Sequence, residues 1–210
     1  KSVELRMKEL EGVKEAFPEN YYQGEYIYDI ARQAQAAKCG TEELGDFAAE
    51  YISGIIKKEL AAFGVKFDYW YSQKALRTSG KVDKALANLK KKGLLYEQDG
   101  ALWFKSTRFG DDKDRVVIKS DGSYTYITTD IAYHQEKYRR GFVWLINLWG
   151  PDHHGYIGRL RASVQGFGEP PDSLSIIIVQ LASIFKDGKL LEMSTRRGQY
   201  ITMREVLDEV

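Results

Sequence analysis

Apolar residues recur at helical spacing through the first part of the chain. One series lies at 3–10, and a second runs from Tyr26 to Gly40, where a glycine favours the end of a helix. Thr41 then predicts the start of a further helix, because acidic residues follow it in the first turn. The apolar stripe expected to be buried on that helix consists of Phe47, Tyr51, Ile55 and Leu60. Residues 1 to about 92 are therefore predicted to be mainly helical.

The period of the pattern changes from helical to alternating near residue 94. Before the change, segment 65–70 alternates as a short strand does, and Ser79 is expected to open a helix that ends at Gly93. After it, two alternating segments each contain an Asp-Gly pair, Asp99–Gly100 and Asp121–Gly122. Asp-Gly between alternating strands is a strong signal for a tight hairpin turn. We therefore expect two β-hairpins between residues 94 and 126.

A polar stretch at 109–114 joins the two expected hairpins and contains three aspartates. The spacing of these carboxylates does not match the regular ligand spacing of a calcium loop. We expect an exposed acidic loop there.

From Tyr124 onward, strand and helix patterns alternate. The predicted elements are a strand through Tyr126–Ile127, a helix over 130–140, a buried strand over 142–149, a helix over 152–167 and an apolar strand over 174–179. This βαβαβ order predicts a parallel sheet with right-handed crossovers, and hence an α/β fold class.

Polar side chains gather where the three predicted parallel strands end. Tyr126 and Asp130 follow the first, the segment 150–154 follows the second, and Gln180 follows the third. Ligands of open parallel sheets bind beyond the carboxyl ends of the strands. These residues therefore predict a binding pocket. A loop with the adjacent arginines Arg196–Arg197 comes shortly afterwards and suits a polyphosphate, whose oxygens pair with guanidinium groups.

Composition narrows the class of protein further. The 210 residues are 43% hydrophobic and 29% charged, with a net charge of +1, which is typical of a globular domain and excludes a strongly basic nucleic-acid-binding body. No apolar run approaches the roughly 20 residues that a membrane-spanning helix needs. The single cysteine, Cys39, excludes an internal disulfide, and we expect a cytoplasmic location without membrane partners.

Five segments together resemble the catalytic region of arginyl-tRNA synthetases, which are class I aminoacyl-tRNA synthetases. The segment EMSTRRG resembles the second class I signature, K-M-S-K-S, in its arginyl variant. The other segments are GEYIYDIA, SYTYITTDIAYHQEKY, WGPDHHGYIGRLRA and the long stretch from KVDKALANL to DGSYTY. The resemblance covers most of the chain, and the joint order of the motifs is specific.

The resemblance implies the second half of a class I Rossmann-type parallel sheet with a helical and β-hairpin insertion. It places the inserted region at 1–123 and the half-fold with the K-M-S-K-like loop at 124–210. The first class I signature, H-I-G-H, does not occur, and neither does the helical anticodon-binding domain. We therefore expect a piece of a longer protein that does not activate arginine by itself.

The same resemblance assigns functions to individual residues. Arginine is expected to bind Tyr126, Asp130 and His153. ATP is expected to bind Gly150, Asp152, His154, Gln180, Met193 and Ser194. The catalytic residues are expected to be Ser194, Arg196 and Arg197. The two lysines of K-M-S-K are replaced by Glu192 and Thr195, which leaves the two arginines as candidate phosphate partners.

The implied reaction joins L-arginine and ATP into arginyl-adenylate and then transfers arginine to tRNA(Arg). It requires no covalent enzyme intermediate, and Mg²⁺ is the expected companion of ATP. We expect no resident metal site.

Four other interpretations remain open at this stage. Asp152–His153–His154 is also the D-H-H signature of metal-dependent phosphoesterases, although such a site needs further His and Asp ligands and the chain has only 3 histidines. His134 is expected to be a packed core histidine.

An RNA-binding module would use Lys90–Lys92, which we expect to be a solvated helix end. A non-catalytic paralogue would have kept the fold alone. A cysteinyl enzyme would require zinc-ligand cysteines beyond Cys39.

Overall fold

The chain forms two compact units in a computed structural model. The units are Lys1–Tyr69 with Ser183–Val210, and Trp70–Ala182. The residues that the structure describes are 1–180, 182–186, 188–190, 193–194 and 196–209. The boundary expected at 123/124 lies inside the second unit, and a common hydrophobic core joins residues on both sides of it, from Leu89 and Phe104 to Ile131 and Ala162.

Eight α-helices and seven β-strands are found among the described residues. The helices are α1 (Ser2–Leu10), α2 (Tyr26–Ala36), α3 (Leu44–Ala62), α4 (Gln73–Thr78), α5 (Lys81–Lys91), α6 (Tyr126–Arg139), α7 (Ile157–Phe167) and α8 (Met203–Glu209). The strands are β1 (Leu95–Gln98), β2 (Ala101–Phe104), β3 (Arg115–Ile118), β4 (Leu145–Trp149), β5 (Leu174–Ile178), β6 (Phe185–Lys186) and β7 (Lys189–Leu190). No helix among the described residues is both long and apolar enough to cross a membrane.

The first unit is built around helix α2, whose apolar face is fully buried. Ile30 and Ala34 have no exposed surface, and they pack with Val3 of α1 and Leu44 of α3. Helix α3 begins at Leu44, so the start predicted at Thr41 is wrong by about one turn. The stripe predicted on α3 is confirmed in part, because Phe47, Tyr51 and Leu60 are half-buried whereas Ile55 is exposed.

The start of α8 is set by Thr202 and Glu205, whose spacing in the sequence is that of a capping box. The Thr202 backbone N–H donates to Oε2 of Glu205 at 2.6 Å, and the Glu205 N–H donates to Oγ1 of Thr202 at 3.1 Å. This reciprocal pair is a capping box, and it satisfies two donors that a helix N-terminus otherwise leaves free.

The strand predicted at 65–70 is wrong, because these residues form neither helix nor strand. The helix expected from Ser79 to Gly93 is found as α5, Lys81–Lys91, whose N-terminal cap is Gly80 rather than Ser79. A short helix, α4, precedes it. Ser72 caps α4 by accepting from the Ala75 N–H at 3.2 Å, and Ser79 follows the end of that helix. Gly80, in the left-handed region at φ 68°, then allows the chain to turn into α5.

Both predicted Asp-Gly turns are confirmed. Asp99 and Gly100 both have positive φ, 51° and 71°, which is the geometry of the two-residue turn that joins β1 to β2. At the second turn Gly122 has φ 79°, and the strand that returns is reduced to a single bridge between Ile118 and Tyr124.

The strand predicted through Tyr126–Ile127 is wrong, because α6 begins at Tyr126. Threonines set this helix start: Thr125 has extended backbone, and its hydroxyl donates to the Val116 carbonyl of β3 at 2.8 Å. The Thr128 hydroxyl donates to the neighbouring carbonyl of Val117. Side-chain hydrogen bonds to the preceding strand therefore replace the ladder that a further strand would have made.

The parallel β4–β5 pair confirms the predicted parallel topology, with two strands among the described residues. Leu145 pairs with Leu174, and the register continues to the ends of both strands. Helix α7 crosses between them and buries Leu160 and Val164 against this pair. The helix predicted over 152–167 begins as a 3₁₀-helix at Pro151–Tyr156, and the α-helix α7 itself starts at Ile157.

Strand β4 was predicted to be buried, and only one of its faces is. Leu145 and Asn147 are buried, whereas Ile146 and Leu148 on the other face are 49% and 68% exposed. The alternation of side chains in a strand explains the difference, because α6 and α7 pack against one face of the pair.

The acidic loop predicted at 109–114 is not fully exposed. The Asp111 side chain is 3% exposed and forms two 2.7 Å hydrogen bonds with the buried Arg115 guanidinium. Burial opposes ionisation of Asp111, but hydrogen bonds from Arg115 and its neighbours outweigh it and hold the pKa of Asp111 well below its usual range. Asp114 is also engaged, since its Oδ1 accepts from the Thr107 N–H and hydroxyl.

Candidate functional site

A cavity of about 660 Å³ lies beside helix α6 and strand β4 in the second unit. Its walls come from α6, β4 and the 3₁₀-helix after β4, which is the carboxyl end of a parallel strand, where pockets of such sheets form. The lining residues are Tyr126, Asp130, Tyr133, His134, Lys137, Ile146, Asn147, Leu148, Trp149, His153 and Tyr156. Three of the residues predicted from the sequence, Tyr126, Asp130 and His153, are therefore brought together.

Asp130 is the one carboxylate among the described residues that line this cavity. The Tyr156 hydroxyl donates to its Oδ2 at 2.6 Å. Within the described part of the chain, Oδ1 of Asp130 has no hydrogen-bond partner. Burial raises the pKa of Asp130, and the Tyr156 hydrogen bond and the nearby charges of Lys137 and His153 partly oppose that rise. The result is a half-buried carboxylate with one oxygen available to a ligand.

His134 supports Asp130 from inside the protein, and the prediction that it is a packed core histidine is confirmed. It is 5% exposed, its Nδ1–H donates to the Asp130 carbonyl at 2.8 Å, and its Nε2 accepts from the Asn147 amide at 2.9 Å. Burial, together with the charge of Lys137, lowers the pKa of His134 to about 4. A neutral imidazole with its proton on Nδ1 fits both hydrogen bonds. This side chain therefore ties helix α6 to strand β4.

Lys137 brings a positive charge to the same cavity. Its Nζ lies 4.4 Å from the centroid of the Tyr133 ring and 3.5 Å from Oδ1 of Asn147. Burial and the charge of Arg140 lower the pKa of Lys137. No carboxylate pairs with Lys137 within the described residues. The cavity therefore holds a carboxylate and an ammonium group on one helix, two turns apart.

Tyr126 and His153 lie at the rim of the cavity. Tyr126 is 82% exposed, so its ring stands in solvent at the first position of α6. The exposed His153 packs at 6.0 Å from the Trp149 ring and lies 3.4 Å from Oδ2 of Asp152. Both residues line the cavity that Asp130 faces.

The remaining residues predicted after the strands do not line this cavity. Gly150, Asp152, His154 and Gln180 are absent from its walls, and the last three are exposed. Gly150 approaches its neighbour closely, since a Cβ there would lie 2.6 Å from Oδ1 of Asp152.

The predicted phosphate loop belongs to the other compact unit. Ser194 and Gln199 pair as an isolated antiparallel bridge, and the Arg197 N–H donates to Oγ of Ser194 at 3.3 Å. The Gln23 N–H donates to the Arg196 carbonyl at 2.8 Å. Arg196, Arg197 and Met193 are exposed. Glu192 and Thr195 lie outside the described residues.

Two glycines hold the loop against the segment before α2. Gly198 has φ 70°, and a Cβ there would lie 2.7 Å from the Cα of Gly24. Any larger side chain at Gly198 would separate these backbones. The turn around Arg196 and Arg197 is therefore anchored by backbone contacts, and its two guanidinium groups are left in solvent.

Sequence reasoning missed Tyr156, Lys137 and Asn147 as residues of the cavity. The sequence did contain an indication for Lys137, because it lies seven positions after Asp130 and hence on the same face of a helix. Asn147 had one too, since it is a polar residue inside the apolar run 142–149. Tyr156 stands in the quoted WGPDHHGYIGRLRA segment, but nothing in its spacing indicates contact with Asp130.

The parallel β4–β5 pair with its crossover helix and its cavity at the strand end is the arrangement of a Rossmann-type catalytic domain. A solved arginyl-tRNA synthetase from Thermus thermophilus shares this fold, with a TM-score of 0.65 at 17% identity over 99% of this chain and 43% of that one. The chain belongs to the family of class I tRNA synthetases of the arginine type, because the model of their catalytic domain, "tRNA synthetases class I (R), catalytic domain", matches residues 1–210.

Individual relatives agree with this family. The chain is 49% identical to an arginine–tRNA ligase from a Geobacter species, over 98% of this chain and 39% of that protein. It is 47% identical to the arginine–tRNA ligase of Geobacillus kaustophilus, over 100% of this chain and 40% of that protein. A crystal structure from Campylobacter jejuni assigned as an arginyl-tRNA synthetase has a TM-score of 0.87 at 36% identity, over 99% of this chain and 47% of that one.

The chain thus spans about two fifths of the length of the curated relatives that it matches. The phosphoesterase interpretation gains no support from the site. Within the described residues, no three His, Cys, Asp or Glu side chains are grouped so that they could hold a metal ion.

Proposed function

We propose that the protein to which this chain belongs ligates L-arginine to tRNA(Arg) through an arginyl-adenylate formed from ATP. Family membership and the named relatives support this proposal. The observation that carries it is the carboxylate of Asp130, which faces a cavity of about 660 Å³ and whose Oδ1 has no hydrogen-bond partner among the described residues.

The charges around the cavity suit arginine. A guanidinium presents five N–H donors in a planar fork and requires a carboxylate acceptor, which Asp130 supplies in a partly buried site where the pairing is strong. Tyr126 and His153 at the rim would complete the arginine pocket. With the Lys137 ammonium, the cavity contains a positive group as well as the Asp130 carboxylate. L-arginine likewise carries a cationic side chain and a carboxylate. A ligand that carried only positive charge would be repelled by the Lys137 ammonium.

The ATP-binding and catalytic residues remain part of the proposal. We infer that ATP is bound by Gly150, Asp152, His154, Gln180, Met193 and Ser194. Ser194, Arg196 and Arg197 would then stabilise charge on the phosphates. Two exposed guanidinium groups on an anchored turn support that role, because planar forks pair well with phosphate oxygens. This arrangement would lower the barrier by positioning and electrostatics.

Mg²⁺ would accompany ATP in this proposal. Because the described residues contain no three-ligand group, the phosphate oxygens and water would have to supply most of its ligands, as is usual for Mg²⁺ at nucleotide sites. We also retain as proposals the inserted region at 1–123, the half-fold at 124–210, tRNA(Arg) as partner, a cytoplasmic location, and the inability of residues 1–210 to activate arginine alone.

Arginine-dependent ATP–pyrophosphate exchange tests the proposed function. The assay uses a protein that contains residues 1–210 at the length of its relatives, with and without tRNA. The amino acids are L-arginine, L-lysine and L-citrulline, which differ in carrying a planar cation, a compact cation and no side-chain charge. We expect exchange with arginine alone. Asp130→Asn should reduce kcat/KM for arginine about 100-fold or more, the cost of removing one member of a buried charge pair.

Asp172→Asn provides the matched control, since Asp172 is an exposed aspartate of the same compact unit and lies away from the cavity. It should exchange like the wild type. Absence of exchange with every amino acid, together with a metal-dependent phosphodiesterase activity, would overturn the proposal in favour of the D-H-H interpretation. Exchange by residues 1–210 alone would contradict only the expectation that this piece is inactive.

A further inference from the structure

The hydrogen bond from Tyr156 makes the two carboxylate oxygens of Asp130 unequal. Oδ2 accepts from the Tyr156 hydroxyl at 2.6 Å, and Oδ1 has no partner within the described residues. We propose that Tyr156 is a positioning residue that holds Oδ2, so that the side-chain cation of the substrate is received by Oδ1 alone. This inference rests on the proposed function, because it concerns how Asp130 receives arginine.

Tyr156 is itself held in place from two sides. Its ring meets Trp149 edge-on, with ring centroids 5.9 Å apart and planes at 71°. The Arg159 guanidinium lies 4.8 Å from the ring centroid on the following helix turn. A tyrosine fixed by an aromatic neighbour and a cation loses little further freedom when its hydroxyl forms a hydrogen bond. The donor is therefore directed at Asp130 before any ligand arrives.

Asp130 is restrained at its backbone as well. His134 donates to the Asp130 carbonyl at 2.8 Å and accepts from Asn147 on β4 at 2.9 Å. The main chain of Asp130 is thus fixed to the sheet, and its carboxylate is fixed to the 3₁₀-helix that follows β4. One hydrogen bond therefore restrains the backbone of Asp130 and another restrains its carboxylate, as preorganised binding sites require.

Tyr156 also lines a second cavity, as Tyr126 does. Its side chain lines the cavity of about 660 Å³ that contains Asp130 and a second cavity of about 430 Å³ that contains Lys113, Arg115 and Arg159. The second cavity has several cations near its wall. Tyr156 therefore borders both the cavity that Asp130 faces and a cavity with basic residues in its wall.

The charge on Asp130 depends on the same hydrogen bond. Burial raises the pKa of Asp130, and the Tyr156 hydroxyl opposes that rise because it stabilises the ionised carboxylate. The other charged or titratable groups that face this carboxylate are Lys137 on its own helix and His153 on the 3₁₀-helix. Arg159 and Arg115 act on the Tyr156 side. Removing the hydroxyl should therefore raise the pKa of Asp130 further.

Tyr156→Phe in the exchange assay tests the inference. We expect the KM for arginine to rise about 10- to 100-fold, the range for loss of a hydrogen bond to a charged group, while kcat and the KM for ATP change less than about twofold. The acidic limb of the profile of kcat/KM for arginine against pH should move to higher pH, since a carboxylate with a higher pKa is protonated sooner.

Tyr138→Phe is the matched control. It also removes one tyrosine hydroxyl from the same compact unit, and that hydroxyl bonds Ser173 at 2.8 Å rather than Asp130. Tyr138→Phe should leave the KM for arginine and the acidic limb unchanged. Thermal melting followed by circular dichroism shows whether each variant is folded.

Three results would overturn the inference. One is a Tyr156→Phe enzyme indistinguishable from Tyr138→Phe in KM and pH profile. Another is a parallel change in kcat and in both KM values with an unmoved acidic limb. The third is a Tyr156→Phe protein that no longer melts cooperatively, which would show that the hydroxyl supports the fold. A wild-type protein without arginine exchange would instead refute the proposed function.

Discussion

Two partly buried aspartates in the same compact unit have different hydrogen-bond partners and opposite pKa shifts. Asp111 meets a guanidinium of its own chain, that of Arg115, through two hydrogen bonds of 2.7 Å. Asp130 meets a neutral hydroxyl at Oδ2 and has no cation in contact within the described residues. The pKa of Asp111 is lowered and that of Asp130 is raised. The hydrogen-bonding capacity of Asp111 is used internally, whereas that of Asp130 is left for a ligand.

The two carboxylates differ in what they contribute to folding and to ligand binding. A buried carboxylate already paired with Arg115 contributes to folding, because breaking the pair leaves an uncompensated charge. A carboxylate without its cation is a cost to the folded state that a cationic ligand can relieve. Stability and binding measurements on the two aspartates should therefore move in opposite directions.

The largest expected effect is at Asp111. Asp111→Asn leaves the buried Arg115 without its main partner and should lower the free energy of unfolding by about 3 kcal/mol. Urea denaturation followed by tryptophan fluorescence measures this, and all 4 tryptophans lie in the Trp70–Ala182 unit. Asp112→Asn is the control, because the Asp112 side chain is 73% exposed and should cost no more than about 0.5 kcal/mol. Equal losses for the two variants would contradict the special position of Asp111.

The next effect concerns pH and His134. The pKa of His134 is about 4 when folded, against an ordinary value of 6.5, so the unfolded chain binds more protons between these values. The stability that neutral His134 provides is therefore complete above pH 6.5 and is lost as pH falls towards 4, by something on the order of 2 kcal/mol. In that window Asp111 stays ionised, and the raised pKa of Asp130 works in the opposite direction.

Urea denaturation at a series of pH values measures this effect. His134→Gln, which retains one donor and one acceptor, should flatten the dependence between pH 6.5 and 4. An equally steep dependence in His134→Gln would assign the proton uptake to another group.

The smallest expected effect is at Asp130, where the substitution should not lower the free energy of unfolding. Asp130→Asn removes a carboxylate whose ionised form burial disfavours, while the new amide oxygen can still accept from Tyr156. The free energy of unfolding at pH 7 should stay the same or rise by up to about 1 kcal/mol. Urea denaturation beside Asp111→Asn gives the comparison directly. A loss for Asp130→Asn as large as that for Asp111→Asn would show that both carboxylates are structural.

Features that depend on a few adjacent residues could be predicted from the sequence. The Asp99–Gly100 turn and the Thr202 capping box are local, because the residues that form each are within four positions of one another. Asp130 and His153 line one cavity, but the rule for strand ends accounts only for His153, which follows β4. The strand expected before Asp130 does not form, since Asp130 lies in α6.

Features that depend on distant partners could not. The segment around Asp111 has the composition of a solvated loop, and its burial follows from packing that only the folded chain provides. The start of α6 at Tyr126 reflects hydrogen bonds from Thr125 and Thr128 to β3, which override a strand-like sequence. The Tyr156–Asp130 contact joins residues 26 positions apart on two different elements, and no periodicity connects them.

The uncovered face of the β4–β5 pair has a consequence for handling the protein. Ile146, Leu148 and Ile177 present a contiguous apolar surface on a short parallel pair, with Val143 and Val179 beside its ends. Exposed apolar surfaces of this kind tend to self-associate. Residues 1–210 at high concentration should therefore form reversible multimers that dilution or a nonionic detergent disperses. An acidic substitution at Ile177, which lies on this exposed face and does not line the cavity that contains Asp130, would then be the first change to make before crystallisation.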